Sequence, residues 1–182
     1  MSIDSFLKAR LVSVYLSQDH REVSTAALVE HLLSRESEAE EAEVEKKESG
    51  RMCVPYVDPA DGLMHMVRIY NRQQLIDCPP NSMGIREPLP EHAAERRVSN
   101  LSEISAVLVP GIAFSPSCQR LGRGGGFYDR FLSSLHGSVM TIGLAFNEQL
   151  EETLPTEQHD RLVDVLVTPS SIFVPEFHDF LD

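Results

Sequence analysis

The chain has 182 residues, enough for one domain that buries its own core without disulfide or metal support. With 42% hydrophobic and 24% charged residues it has the composition of a globular protein, which excludes disorder over the whole length. A net charge of −12 argues against a general binder of nucleic acid or anionic membrane, because sequence-independent affinity for phosphate backbones comes from clustered Lys and Arg.

In chain order, Leu11 to Leu16 is short, β-branched and aromatic, and reads as a buried strand. Ser24 or Thr25 can cap a helix whose Ala26, Val29 and Leu33, with Leu28 and Leu32 beside them, fall at helical spacing. Residues 35–51 form a Glu-rich run that reads as a solvated helix extension or acidic insertion and is given no chemistry. Met52 to Val57 and Leu63 to Tyr70 are the next two strand candidates, and the proline- and charge-rich stretch from Pro79 to Arg97 is expected to be a long ordered loop. Ala106 to Val109 is an uninterrupted apolar run ending at Pro110-Gly111, as in a central strand covered on both faces. A glycine-rich loop follows, then a helix through Phe131, Leu132 and Leu135, then strands over Val139 to Phe146 and Val163 to Thr168. Strands alternating with helices predict one α/β domain over residues 1–182: a three-layer sheet of mostly parallel strands with helices on both faces, and ligands at the strand carboxyl ends.

The N-terminus has neither a signal-peptide core nor an Arg-rich transit pattern, and no apolar run approaches the roughly 18 residues needed to span a bilayer. Cys53, Cys78 and Cys118 lack metal-ligand spacing and cannot all pair, so they read as plain thiols of a reducing compartment. A cytoplasmic monomer that binds neither membrane nor nucleic acid is the expectation.

Arg120-Leu121-Gly122-Arg123-Gly124-Gly125-Gly126-Phe127-Tyr128-Asp129 is the segment richest in chemistry. Taken alone the glycine triplet reads equally as a tight turn; it is neither a P-loop, since no Gly-Lys-Ser/Thr follows, nor the Gly-x-Gly-x-x-Gly of a dinucleotide fold. Its company favours an anion cradle. Arg120 and Arg123 can make forked bonds to phosphate oxygens, the following helix turns its free N–H groups toward them, and Asp129 in its first turn is either a dipole partner or a magnesium ligand.

The block VLVPGIAFSPSCQRLGRGGGFYDRFL, followed by TIGLAF and LPTEQHDRLVDVLVTP, resembles the 5-formyltetrahydrofolate cyclo-ligase (methenyltetrahydrofolate synthetase) family. SVYLSQDHREVST is similar to that family's first strand and substrate loop, VPYV to its second strand, and MHMVRI and GIREP to its middle region. The resemblance implies an ATP- and magnesium-dependent ligase of folate metabolism. It would phosphorylate the formyl oxygen of 5-formyltetrahydrofolate and close the ring to 5,10-methenyltetrahydrofolate, releasing ADP and phosphate.

By the same resemblance, Arg120, Leu121, Gly122, Arg123, Gly124, Gly125, Gly126, Phe127 and Tyr128 would contact the ATP, and Arg123 to Phe127 would also border the folate. Asp129 and Asp160 would hold the magnesium, with Arg123 and Asp129 the residues closest to the chemistry. Leu16 and Glu22 fall where the family contacts the pterin, a carboxylate there suiting its N–H donors. Tyr56, Met64 and Tyr128 read either as a wall for the flat ring or as core. His159 invites a general-base role that neither chemical step needs, and the other histidines show no metal spacing.

The family begins with a basic helix whose Lys and Arg reach the ATP. Here Met1 to Arg10 alone precede the first strand, and Lys8 and Arg10 sit too near it, so that helix is expected to be absent and nucleotide binding weakened. A non-catalytic folate- or nucleotide-binding protein is the alternative this leaves. A sugar-phosphate isomerase or acyl-CoA transferase explains the loop but not the aspartate pair.

Overall fold

The computed structural model describes residues 10–18, 22–39, 51–82, 84–135, 139–155 and 160–175. The expectations for the N-terminal basic helix, for His159 and for residues 40–50 of the acidic run fall outside these. Strand β1 (Leu11–Ser13) leads to helix α1 (Ala26–Ala39), then β2 (Met52–Val57) and β3 (Met64–Ile69). Two short helices follow, α2 (Arg72–Ile76) and α3 (Pro90–Arg96), before β4 (Ile104–Val109). A two-stranded hairpin, β5 (Ala113–Phe114) with β6 (Arg120–Leu121), precedes α4 (Phe127–Ser134), and β7 (Met140–Leu144), β8 (Val165–Val167) and β9 (Ile172–Phe173) complete the main sheet.

That sheet has seven strands in the order β3-β2-β1-β4-β7-β8-β9. The neighbours from β2 to β8 pair parallel, while β3 and β9 pair antiparallel at the two edges. Alternate residues feed two cores. Val12, Met52, Val54, Val67, Ile69, Ala106 and Leu108 pack on one face with Val29, Leu32 and Leu33 of α1. Leu11, Cys53, Met66, Val107, Val109 and Leu166 pack on the other with Phe131 and Leu132 of α4. A strand buried on both faces needs apolar residues at consecutive positions, which is why Ala106 to Val109 of β4 read as an unbroken run. The chain leaves β1 for β2 on one side and returns later to β4 on the other. Ligands of open α/β sheets bind at such a reversal, outside the strand carboxyl ends.

Several boundaries differ from the sequence reading. β1 ends at Ser13 because the Thr25 hydroxyl donates to the Tyr15 carbonyl at 2.8 Å, tying the chain after the strand to the helix entry. Thr25 is thus spent on this tie, and Ser24 accepts from the Ala26 N–H at 3.4 Å. The stretch expected as a loop from Pro79 to Arg97 contains α3: Pro90 sits at its first turn, where a missing N–H costs nothing, and Ala93 enters the core. Helix α1 runs into the start of the acidic segment, as far as Ala39. No helix among the described residues is long and apolar enough to cross a membrane.

Candidate active site

The segment after β4 turns twice before it reaches α4. Ile112 N–H donates to the Leu121 carbonyl at 2.8 Å, closing the β5–β6 hairpin over which Phe114 opposes Arg120. Arg120 is thereby directed inward: Nη2 donates to Oδ1 of Asp129 at 2.7 Å, with side chains only 4% and 14% exposed, and Nη1 donates to the Pro110 carbonyl at 3.3 Å. A Cβ on Gly122 would lie 2.7 Å from Nη1, so glycine there leaves the guanidinium its space. The guanidinium also sits over the Tyr128 ring, 5.9 Å from its centroid. Nε of Arg120 and the Tyr128 hydroxyl are buried without a partner among the described residues, and burial raises the Tyr128 pKa well above the ordinary phenol value.

Gly126 supplies the helix N-cap in a left-handed conformation, φ 61°, which costs an L-residue strain that glycine escapes. Among the described residues no side-chain hydrogen bond caps this end, so the first N–H groups of α4 keep their donors and its positive end suits an anion.

Arg123 takes a different set of partners from Arg120. Across 105 residues of sequence its Nη2 donates to Oε1 of Gln18 at 3.0 Å, and also reaches Oε1 of Glu22 at 3.3 Å. Glu22 in turn accepts from the Gln18 backbone N–H at 3.2 Å through Oε2. The loops leaving the carboxyl ends of β1 and β4, neighbours at the reversal of strand order, are therefore fastened to one another by side chains.

Of the sequence-predicted residues, Arg120 is joined to Asp129 and Arg123 to Glu22; Asp160, half-buried ahead of β8, takes part in neither pair. Leu16 is partly buried against the first core. Tyr56 and Met64 lie on opposite faces of the sheet, one in each core, so they do not form one wall for a ring. Phe127 is exposed beside the cradle. Gln18 was not singled out within the SVYLSQDHREVST segment, and only the fold shows that it is buried, 8% exposed, against an arginine.

A second cluster lies at the β2–β3 turn, where oxygens of Asp58 and Asp61 and a nitrogen of His65 fall within 4.8 Å of one another. His65 is already bound to Asp61 at 2.8 Å, and the Arg97 guanidinium reaches the same ring, so a cation rather than a vacancy faces it.

The model of the 5-formyltetrahydrofolate cyclo-ligase family matches residues 1–169. The chain belongs to this family of ligases. It is 31% identical over 175 residues to the 5-formyltetrahydrofolate cyclo-ligase of Escherichia coli, covering 95% of this chain and 85% of that protein. It is 29% identical over 182 residues to the mitochondrial 5-formyltetrahydrofolate cyclo-ligase of Arabidopsis thaliana, covering 92% of this chain and 62% of that one. The solution structure of 5,10-methenyltetrahydrofolate synthetase from Aquifex aeolicus superposes with a TM-score of 0.71 at 28% identity, over 100% of this chain and 79% of the other. The cyclo-ligase fold is thus the α/β sheet described above, and the cyclo-ligase family match spans both fastened loops.

Proposed function

We propose that the chain catalyses the ATP- and magnesium-dependent closure of 5-formyltetrahydrofolate to 5,10-methenyltetrahydrofolate. The observation that carries this reading is the bond of Arg123 to Glu22 across the reversal of strand order, beside an uncapped helix end. A cation, a carboxylate and free N–H groups then meet in one crevice, the set needed for a substrate with N–H donors on one part and a transferring phosphoryl group on another.

In the reaction the formyl oxygen attacks the γ-phosphorus and ADP leaves. The neighbouring secondary nitrogen then adds to the formyl carbon, loses its proton, and the phosphate departs with the former formyl oxygen. Phosphorylation makes a poor leaving group a good one, and the protein's task is positioning and charge stabilisation. Glu22 would accept from the pterin N–H groups, with Leu16 packed beside it. Arg123 and the N–H groups from Gly124 to Tyr128 would hold the phosphates.

Asp129 accepts from Arg120 through Oδ1, which fixes the carboxylate and leaves Oδ2 for a cation; together with Asp160 it would supply the hard-oxygen donors that magnesium takes alongside water. Magnesium bound there would neutralise charge developing on the phosphates. Arg120, buried on Asp129, would support this ligand rather than reach the nucleotide itself.

Purified protein given MgATP and 5-formyltetrahydrofolate should develop the near-ultraviolet absorbance of the methenyl product. No absorbance at high enzyme and nucleotide overturns the reading, and binding of both ligands without turnover favours the non-catalytic alternative.

A further inference from the structure

Gln18 touches both members of the pair that spans the crevice. Its backbone N–H holds Oε2 of Glu22 and its side-chain Oε1 holds Nη2 of Arg123, closing a three-way cycle with the Arg123–Glu22 bond. The three groups differ in freedom: Gln18 is 8% exposed, the Glu22 side chain 15% and the Arg123 side chain 49%. A half-exposed arginine paired only with a carboxylate is weakly held, because solvent screens the pair and the long side chain keeps many rotamers. A buried amide oxygen restricts those rotamers from a fixed point.

The two acceptors also differ in charge. A carboxylate partner cancels much of the guanidinium's field, whereas an amide oxygen takes a hydrogen bond and leaves the charge in place. A ligand with N–H donors competes for Glu22. When Glu22 turns to it, Arg123 without Gln18 has lost its remaining anchor; with Gln18 it keeps its position and faces an anion as a full cation.

We infer that Gln18 is a positioning residue whose neutral amide holds Arg123 across the crevice with its charge uncancelled, so that Glu22 is free to engage a ligand. The inference rests on the cyclo-ligase reading of the crevice. It assigns a role to a residue outside the glycine loop and outside the pair it serves.

Two substitutions of similar volume test it in the full chain: Gln18→Met removes the acceptor, and Gln18→Glu keeps it but adds the charge. For Gln18→Met, KM for 5-formyltetrahydrofolate and its dissociation constant measured by equilibrium dialysis without ATP should both rise roughly tenfold, with kcat falling less than about threefold. For Gln18→Glu, folate KM should return to within about twofold of wild type while KM for MgATP rises roughly fivefold. Melting midpoints measured alongside should stay within about 3 °C of wild type, as for a volume-conserving change. Should Gln18→Met not fold, Gln18→Asn, whose amide is too short to span the gap, is expected to give the same rise in folate KM.

Unchanged folate KM and binding in Gln18→Met, or a loss confined to kcat, overturns the role of Gln18 alone. An unchanged MgATP KM in Gln18→Glu overturns the uncancelled charge. Wild-type protein that neither binds nor turns over the folate overturns the functional reading and the role of Gln18 together.

Discussion

Arg120 and Asp129 form a buried ion pair at 2.7 Å that joins the β5–β6 hairpin to the first turn of α4. Nine residues apart in sequence, they hold the glycine loop between them as a closed arch, with the Pro110 carbonyl as the pair's third member. Truncating one partner of such a pair strands the other in a poor solvent. Arg120→Met should therefore destabilise the protein by about 3 kcal/mol, seen as a lowered urea midpoint with an unchanged slope. A midpoint equal to wild type would mean that the arch does not depend on this pair.

The same pair decides how Asp129 should be tested. Asp129→Ala would orphan the Arg120 guanidinium, so lost activity could not be separated from lost structure. Asp129→Asn keeps an oxygen for Arg120 while removing the charge a cation needs. Turnover should fall at least about a hundredfold, with the fold retained by circular dichroism and the loss relieved little by excess magnesium. Near-normal turnover removes Asp129 from the metal site.

Gly126 carries φ 61°, and a Cβ there would also lie 2.9 Å from Nη1 of Arg130. Gly126→Ala should cost about 1–2 kcal/mol by denaturant unfolding, the left-handed penalty for an L-residue. Gly124→Ala shares the positive φ, at 82°, but its Cβ would meet nothing within 4 Å. Its cost should therefore be the smaller of the two, and the reverse order would contradict the contact to Arg130.

Cys53, Cys78 and Cys118 are all buried, and burial pushes the Cys53 thiol up to about 12 and raises the other two. Native protein should leave all three unreactive toward a thiol reagent at pH 8, and denatured protein should expose three. A thiol that stays protonated when folded but ionises when unfolded favours the unfolded state as pH rises. The unfolded chain then binds fewer protons than the native one. Stability should consequently fall from about pH 9 toward pH 12, by on the order of 1 kcal/mol per unit for Cys53. Stability that is flat over this window would contradict the burial of the thiol.

The strands that form the sheet's centre were legible because burial on both faces leaves an unbroken apolar run, as over Ala106 to Val109 in β4. The glycine loop was legible because its residue types are those of an anion cradle. The β5–β6 hairpin was not, since two-residue strands are too short to show alternation and one of its buried residues is an arginine. Helix α3 was hidden by Pro90, which punctuates a loop and begins a helix with equal ease. Gln18 was hidden for a different reason: its partners are Arg123, 105 positions away, and Glu22 within the same polar loop. Nothing local marks a side chain whose importance comes from where the sheet brings it.

The tie between Gln18 and Arg123 exists only once β1 and β4 lie side by side with β5, β6 and the start of α4 in place. No fragment ending before the glycine loop carries the crevice, and none beginning after β1 does. A small molecule that grips both loops thus draws its binding energy from the assembled sheet, and returns that energy to the whole molecule as protection against heat and proteases. Folate analogues at concentrations well above their dissociation constants would be detectable as thermal stabilisers, and destabilised variants far from the crevice would be rescued by them.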